Sequence, residues 1–467
     1  MAFMRFTLSL LTTLTALLCL ALAPGASTAA APQAPVPDSE AAFASAPRPP
    51  ALHSGARAWV LVDGASGFVM GGSHADDPID PDDLVQLMTL YTALEIVGDD
   101  DARLEEPVTI SAGDSIRPLG SRRLYLVAGE QTPLKTLLNG IAVVAAEDAA
   151  LAVANHLSGT VEAFVEAMNE AARSIGMTNS HFVSPIASSG QRTTARDLSK
   201  LAVAMHRRHP QAYAWFSQRE FSFVNHTQRN RNLMLWKDAG VNGIMGSSDN
   251  TDLVTGWHRE PVNDDGAMPR DIFAVLIDAK NADLAASDML TLLRYGRLEY
   301  ETIRLFPAGA VIKRIDILSG NRDKLAVGTR DPVWVTVRRQ DVVARGTGGF
   351  STVFEYMAPA IAPVSRGAPA GTLHVYFRGR PVADFQLVAM QDVGPGSFLS
   401  RFVDSVRLRM KPVQDDRDGA AAKAGPETAD SAAASEEKRT PAPDAASREP
   451  APEDSATGNT ASKQQTD

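Results

Sequence analysis

Several residue sets in this chain have the types and spacing to do chemistry. Thr132-Pro-Leu-Lys135 sets a hydroxyl three residues ahead of an amine, a spacing that suits a nucleophile and its proton acceptor. Pro133 and its surroundings read instead as a helix start. His206 and His209 lie one turn apart on a helical stretch and form a possible ligand pair, but no third ligand is evident. They read as a surface patch closing that helix. Asp82 and Asp83 precede an apolar run, Leu84, Leu87, Tyr91 and Leu94, at helical spacing. Carboxylates there are expected to cap free backbone N–H groups and to meet the positive end of the helix dipole. Arg117, Arg122 and Arg123, beside Leu124 and Tyr125, could contact a glycan or a partner, and otherwise form a solvated loop. No Ser-x-x-Lys occurs in residues 51–299.

The elements that must position such residues follow from the chain in order. Met1 to Arg5, the uncharged run Phe6 to Ala23 and the small residues Gly25 to Ala31 have the layout of a secretory signal peptide over residues 1–30. The competing reading is a membrane-spanning anchor. The only cysteine, Cys19, lies in this run, so a mature chain has neither a disulfide framework nor a thiol nucleophile. Residues 31–50 form a flexible leader rich in Ala, Pro and Ser. Strands are expected at Ala58–Asp63, Phe68–Met70, Val108–Ile110, Glu220–Val224 and Ile272–Asp278. Helices are expected at Pro133–Ala145, Glu147–Leu157, Val161–Ile175 and Thr194–His209, with another beginning near Asp83. The fold class is therefore α+β, a mixed sheet with a helical cluster over residues 51–299.

Short alternating strands such as Val333–Val337 and His374–Phe377 then indicate a small all-β domain at residues 300–392. Residues 396–411 form an amphipathic helix. Phe398, Leu399, Phe402, Val403, Val406 and Met410 share one face, which either lies on a membrane surface or packs on the β domain. The tail, 412–467, is too polar to bury a core and is expected to be disordered. From Val413 it carries 12 acidic and 6 basic residues. The net charge of −10 argues against a nucleic-acid partner.

Gly176-Met-Thr-Asn-Ser-His-Phe182, Thr193-Thr-Ala-Arg-Asp197, Asn230-Arg-Asn232 with Leu235-Trp236, and Val241-Asn-Gly-Ile244 carry a family likeness through their shared order and spacing. Together they resemble the low-molecular-mass penicillin-binding proteins of the D-alanyl-D-alanine carboxypeptidase type, serine peptidases of the β-lactamase/transpeptidase-like fold. The likeness runs from about residue 57 to 411. It implies acyl transfer through three motifs, Ser-x-x-Lys, Ser-x-Asn and Lys-Thr-Gly. Laid onto this chain, the first falls on Asp83 to Gln86, the second on Ala145 to Glu147, and the third on Met245-Gly246-Ser247. All three are degenerate. Asp83 has no hydroxyl to acylate, Gln86 cannot act as a base, Ala145 lacks the second hydroxyl, and Met245 lacks a cation.

Where the family's two lysines would give two positive charges, Asp83 and Glu147 give two negative ones. A peptide ending in carboxylate would be repelled there unless Arg192, Arg196 or Arg270 compensates. Asp83 and Glu147 could alternatively serve as an acid pair or, with Asp249, hold a divalent ion. The plainer reading is a helix cap and a solvated helix-start residue, with no metal and no cofactor. The resemblance thus implies an exported, catalytically dead relative in the periplasm, peripheral on the outer face of the inner membrane. It would bind peptidoglycan or a cell-wall enzyme. The alternative is an active carboxypeptidase with an unrecognised nucleophile.

Overall fold

The computed structural model describes residues 54–98, 100–115, 122–260, 269–343, 349–356, 360–396 and 422–423. The expected signal peptide and leader, the face from Phe398 to Met410 and nearly all of the acidic tail lie outside them. Among the described residues no helix is long and apolar enough to cross a membrane.

Alternation along strand β1 (Ala58–Asp63) divides the first domain into two cores. Ala58, Val60 and Val62 enter one, while Trp59 and Leu61 enter the other, as the two-residue period of a strand dictates. With β2 (Val69–Ser73), β3 (Val241–Gly243), β4 (Leu253–Arg259) and β5 (Arg270–Ile277) it forms a five-stranded sheet in the order β2-β1-β5-β4-β3. Every pairing in it is antiparallel, where a mixed sheet is expected from the sequence. The strands meet as hairpins or after long helical excursions, and no parallel crossover is made.

One face carries the expected helical cluster: α1 (Val85–Val97), α2 (Leu134–Val144), α3 (Glu147–Ser158), α4 (Val161–Ser174) and α5 (Ala195–Arg208). Helix α1 is buried nearly all round, which is why its sequence is apolar on every side. The hydroxyls of Thr160 and Thr194 cap α4 and α5. The other face is covered by α6 (Ala282–Glu299), capped by Asn281. Its Gly296 comes so close to the sheet that a Cβ there would sit 3.1 Å from Leu61.

Helix α6 runs directly into β6 (Tyr300–Phe306), the first strand of a β-rich domain that also holds one helical turn, Arg339–Val343, where an all-β domain is expected from the sequence. There β6 pairs with β9 (Val333–Arg338). Strands β7 (Val311–Leu318), β8 (Lys324–Gly328), β12 (Arg380–Ala389), β11 (Pro369–Phe377) and β10 (Phe350–Glu355) form the main sheet in that order. Its core includes Ile315, Val335, Leu373, Val375 and Leu387.

The two domains are joined by a buried polar knot. Asp63 Oδ1 accepts hydrogen bonds from Ala65 N, Ser66 N and Ser66 Oγ, and its Oδ2 accepts from Thr302 Oγ1 and, at 3.3 Å, from Arg270 Nε. Arg270 also donates to Tyr300 O at 2.7 Å, and Ser66 Oγ lies 2.6 Å from Thr336 Oγ1. Losing one partner of a buried ion pair leaves the other charge desolvated and uncompensated, at about 3–5 kcal/mol. Arg270→Met is accordingly expected to lower stability by about that amount, measured by urea denaturation.

Candidate functional site: a buried carboxylate where three segments meet

The three motif segments converge in space. Asp83 sits in a single tight turn, Asp82–Leu84, that leads into α1, and its side chain does not cap the helix. Instead Asp83 Oδ2 is 2.5 Å from Arg122 Nη2 and accepts from Ser248 N at 2.9 Å and Ser248 Oγ at 2.7 Å. Both ion-pair side chains are buried, at 5% exposure for Arg122 and 8% for Asp83. This corrects two expectations at once. Asp83 is an ion-pair partner and not a cap, because a carboxylate this deep needs a counter-charge more than it needs a helix N–H. Arg122 is likewise no part of a solvated loop. Burial lowers its pKa, and the neighbouring charge of Asp83 works against that.

The second segment closes on the first. Gln86 is fully buried and donates from Nε2 to Ala145 O at 2.8 Å, while no partner is found for its Oε1 among the described residues. Ala145 links α2 to α3 in the left-handed region, at φ 54° and ψ 53°. Glu147 opens α3, where its N–H donates to Arg122 O at 2.9 Å. It is half-buried, with its charge acting on Arg122, so it is not the solvated helix-start residue expected. Next to it, Asp148 fixes the arginine's strand-like stretch by accepting from Leu124 N, Leu126 N and Ala149 N. Burial raises the Asp148 pKa, and those N–H groups oppose the rise.

The third segment follows edge strand β3. Met245 is buried in the helical core, and Gly246 is so close-packed that a Cβ would lie 2.8 Å from Arg231 O. Ser247 Oγ donates to Asp249 Oδ1 at 2.9 Å and accepts from Asp252 N at 3.0 Å. Asp249 thus closes a turn with Ser247 and Thr251. Asp252 accepts from Asp278 N at 2.6 Å, and burial pushes its pKa up to about 6.

The remaining sequence candidates are scattered. Arg270 is committed to Asp63, and Arg196 holds Asp76 through two bonds of 2.6 and 2.8 Å, so neither offsets the site's carboxylates. Arg192 is exposed. His206 and His209 do not act as a pair. His206 faces Asp271, Tyr213 and Phe273, whereas His209 Nε2 lies 2.9 Å from Glu95. Lys135 reaches Glu105 at the surface. Sequence reasoning missed Arg122 as a core residue and Ser248 altogether. A signal for the first exists: Arg122, Leu124 and Leu126 are buried in strict alternation.

The segments that carry the family likeness brace this constellation. Asp197 accepts from Asn179 N and Ser180 Oγ, tying residues 176–182 to α5. Asn232 Nδ2 donates to Gly243 O at 2.8 Å and so holds β3. A sheet between helical layers, with three loops meeting at the start of a buried helix and a β domain behind, defines the scaffold of a DD-peptidase. Residues 43–248 match the family model for D-alanyl-D-alanine carboxypeptidase, and residues 300–395 match the C-terminal domain of penicillin-binding protein 5. The chain belongs to this D-alanyl-D-alanine carboxypeptidase family.

It is 28% identical over 363 residues to the D-alanyl-D-alanine carboxypeptidase DacC of Escherichia coli, covering 76% of this chain and 88% of that protein. It is 27% identical over 368 residues to DacD of the same organism, covering 77% and 91%. The structure of penicillin binding protein 5 from Haemophilus influenzae superposes with a TM-score of 0.64 at 24% identity, over 75% of this chain and all of that one. That likeness extends through both domains.

Two measurements test the site's physics. In a double-mutant cycle, Asp83→Ala and Arg122→Met are each expected to cost about 3–5 kcal/mol. The double variant is expected to cost less than their sum, by about 1–3 kcal/mol of coupling. Asp252 is protonated more readily when folded than when unfolded. Its stabilising effect is therefore full below about pH 4 and lost as pH rises through about 6. Asp252→Asn, which keeps an acceptor for Asp278 N, is expected to flatten that part of the curve of melting temperature against pH.

Proposed function

We propose that this chain is an exported, catalytically inactive member of its family, acting at the cell wall as a peptidoglycan-related binding, scaffold or regulatory protein. One observation carries the reading. The carboxylate at the first motif is locked by Arg122 and by the N–H and hydroxyl of Ser248, inside the space an acylating serine would need. An acyl-enzyme requires a nucleophile and a group to take its proton. Gln86 is neutral and spent on a backbone carbonyl, and Met245 offers a substrate carboxylate no charge. Losing nucleophile or base from such a unit typically costs on the order of 10⁶ in turnover. What persists is the scaffold, with peptidoglycan or another wall enzyme as its partner. The periplasmic site, the signal peptide and a membrane-facing 396–411 helix belong to this same reading.

Ser248 supports a second reading. Its Oγ, 2.7 Å from Asp83 Oδ2, is the hydroxyl an active carboxypeptidase would use, with Asp83 accepting the proton. Asp83 Oδ2 is already engaged by the guanidinium of Arg122 and the N–H of Ser248, which favours the first reading. Incubation of the mature protein with penicillin, followed by intact-mass analysis and a D-alanine release assay, separates the two. The expected result is no adduct and no release. A stoichiometric adduct that disappears in Ser248→Ala would establish the second reading instead.

A further inference from the structure

A cavity of about 630 Å³ opens beside the third segment, lined in part by Arg229, Arg231, Trp236, Lys237, Asn250 and Asp283. Its charge runs against that of the whole chain, which is −10. Three lining cations face a single lining carboxylate, a surplus of two positive charges. These cations are poorly neutralised. Arg229 reaches only Glu220, at 3.8 Å with both side chains exposed, and among the described residues neither Arg231 nor Lys237 has an ion-pair partner. Arg231 lies near enough to Arg122 for the two like charges to repel, which lowers the Arg122 pKa. Packing cations together without carboxylates costs stability and suits an anionic ligand.

Two features give the basin a built character. Trp236, 38% exposed, has the guanidinium of Arg229 over its ring at 5.3 Å and that of Arg219 at 5.9 Å, so the aromatic holds both in place. Asn250, also in the lining, has a left-handed φ of 58°, and its amide oxygen is packed over Gly246, 3.3 Å from where a Cβ there would sit. The first turn of α6, through Ala282, adds backbone N–H groups and the positive end of an 18-residue helix.

We propose that this basin binds a phosphoryl group carried on a larger ligand. A surplus of two charges matches a phosphate dianion better than a single carboxylate, and guanidinium forks fit its oxygens. The cavity volume falls in the range of small-ligand sites and exceeds what a bare ion fills. The proposal does not depend on whether the neighbouring motif site is active.

The test is isothermal titration of the mature protein with pyrophosphate at low salt, with citrate as the carboxylate control. The protein is compared with Arg229→Glu/Lys237→Glu, two exposed changes whose folding is checked by melting temperature. Saturable pyrophosphate binding, tighter than citrate and weakened at least about tenfold by the double variant, is expected. Absence of saturation, equal binding of citrate, or binding untouched by the charge reversals would overturn the proposal. Co-sedimentation with phosphatidylglycerol vesicles then names the source. Sedimentation lost in the variant identifies a lipid head group, and pyrophosphate binding without sedimentation identifies a soluble phosphate.

Discussion

A charge cannot be taken out of water alone, and that constraint shapes the centre of the first domain. With a carboxylate at residue 83, buried at the foot of α1, the surrounding chain must supply a cation and further donors. Arg122 and Ser248 come from segments far apart in sequence, 39 and 165 residues from Asp83. The pair thus does more than neutralise a charge. It ties the loop after residue 121 and the turn after β3 to the start of the central helix. Asp148 and Asn232 extend the same role outward, each using a buried side chain to hold a backbone stretch. A site of this kind is rigid because Asp83 and Asp148 each hold several donors from separate segments.

The same logic recurs where the domains join. Asp63 gathers the turn after β1, Arg270 at the start of β5 and Thr302 on β6, so one carboxylate fixes a hairpin, a central strand and the first strand of the second domain. Arg259 and Arg339 meet on Glu301 just beside it. The domain junction is therefore a charge network laid over an apolar contact, here Tyr300 against Phe68.

Much of the fold was legible in the sequence because periodicity and caps record local physics. The strands at Ala58 and Val333 and the helices opening at Glu147, Val161 and Thr194 fall within a residue or two of where pattern places them. Helix α6 escaped, although Asn281 capping Leu284 N and the spacing of Ala285, Met289, Leu292 and Leu293 were there to read. Gly296 blurs its end, and only the closeness of the sheet explains a glycine in that place. The three segments that meet around Asp83 were legible through the family likeness. Their chemistry was not, because whether Asp83 caps a helix or meets an arginine depends on a contact between distant segments. No local pattern encodes that partner, and the alternation of Arg122 with Leu124 and Leu126 hints only that the arginine is buried.

The mutual dependence of Asp83 and Arg122 has an evolutionary consequence. A neutral residue placed at 83 would leave a guanidinium buried beside it with no counter-ion. A lysine placed at residue 86 alone would add an uncompensated cation to the same interior. Each single change is harmful until Arg122 also changes or a new counter-charge arrives. Paths that alter one partner at a time therefore cross a valley of poorly folding intermediates. The ion pair acts as a ratchet: its two residues change together or stay.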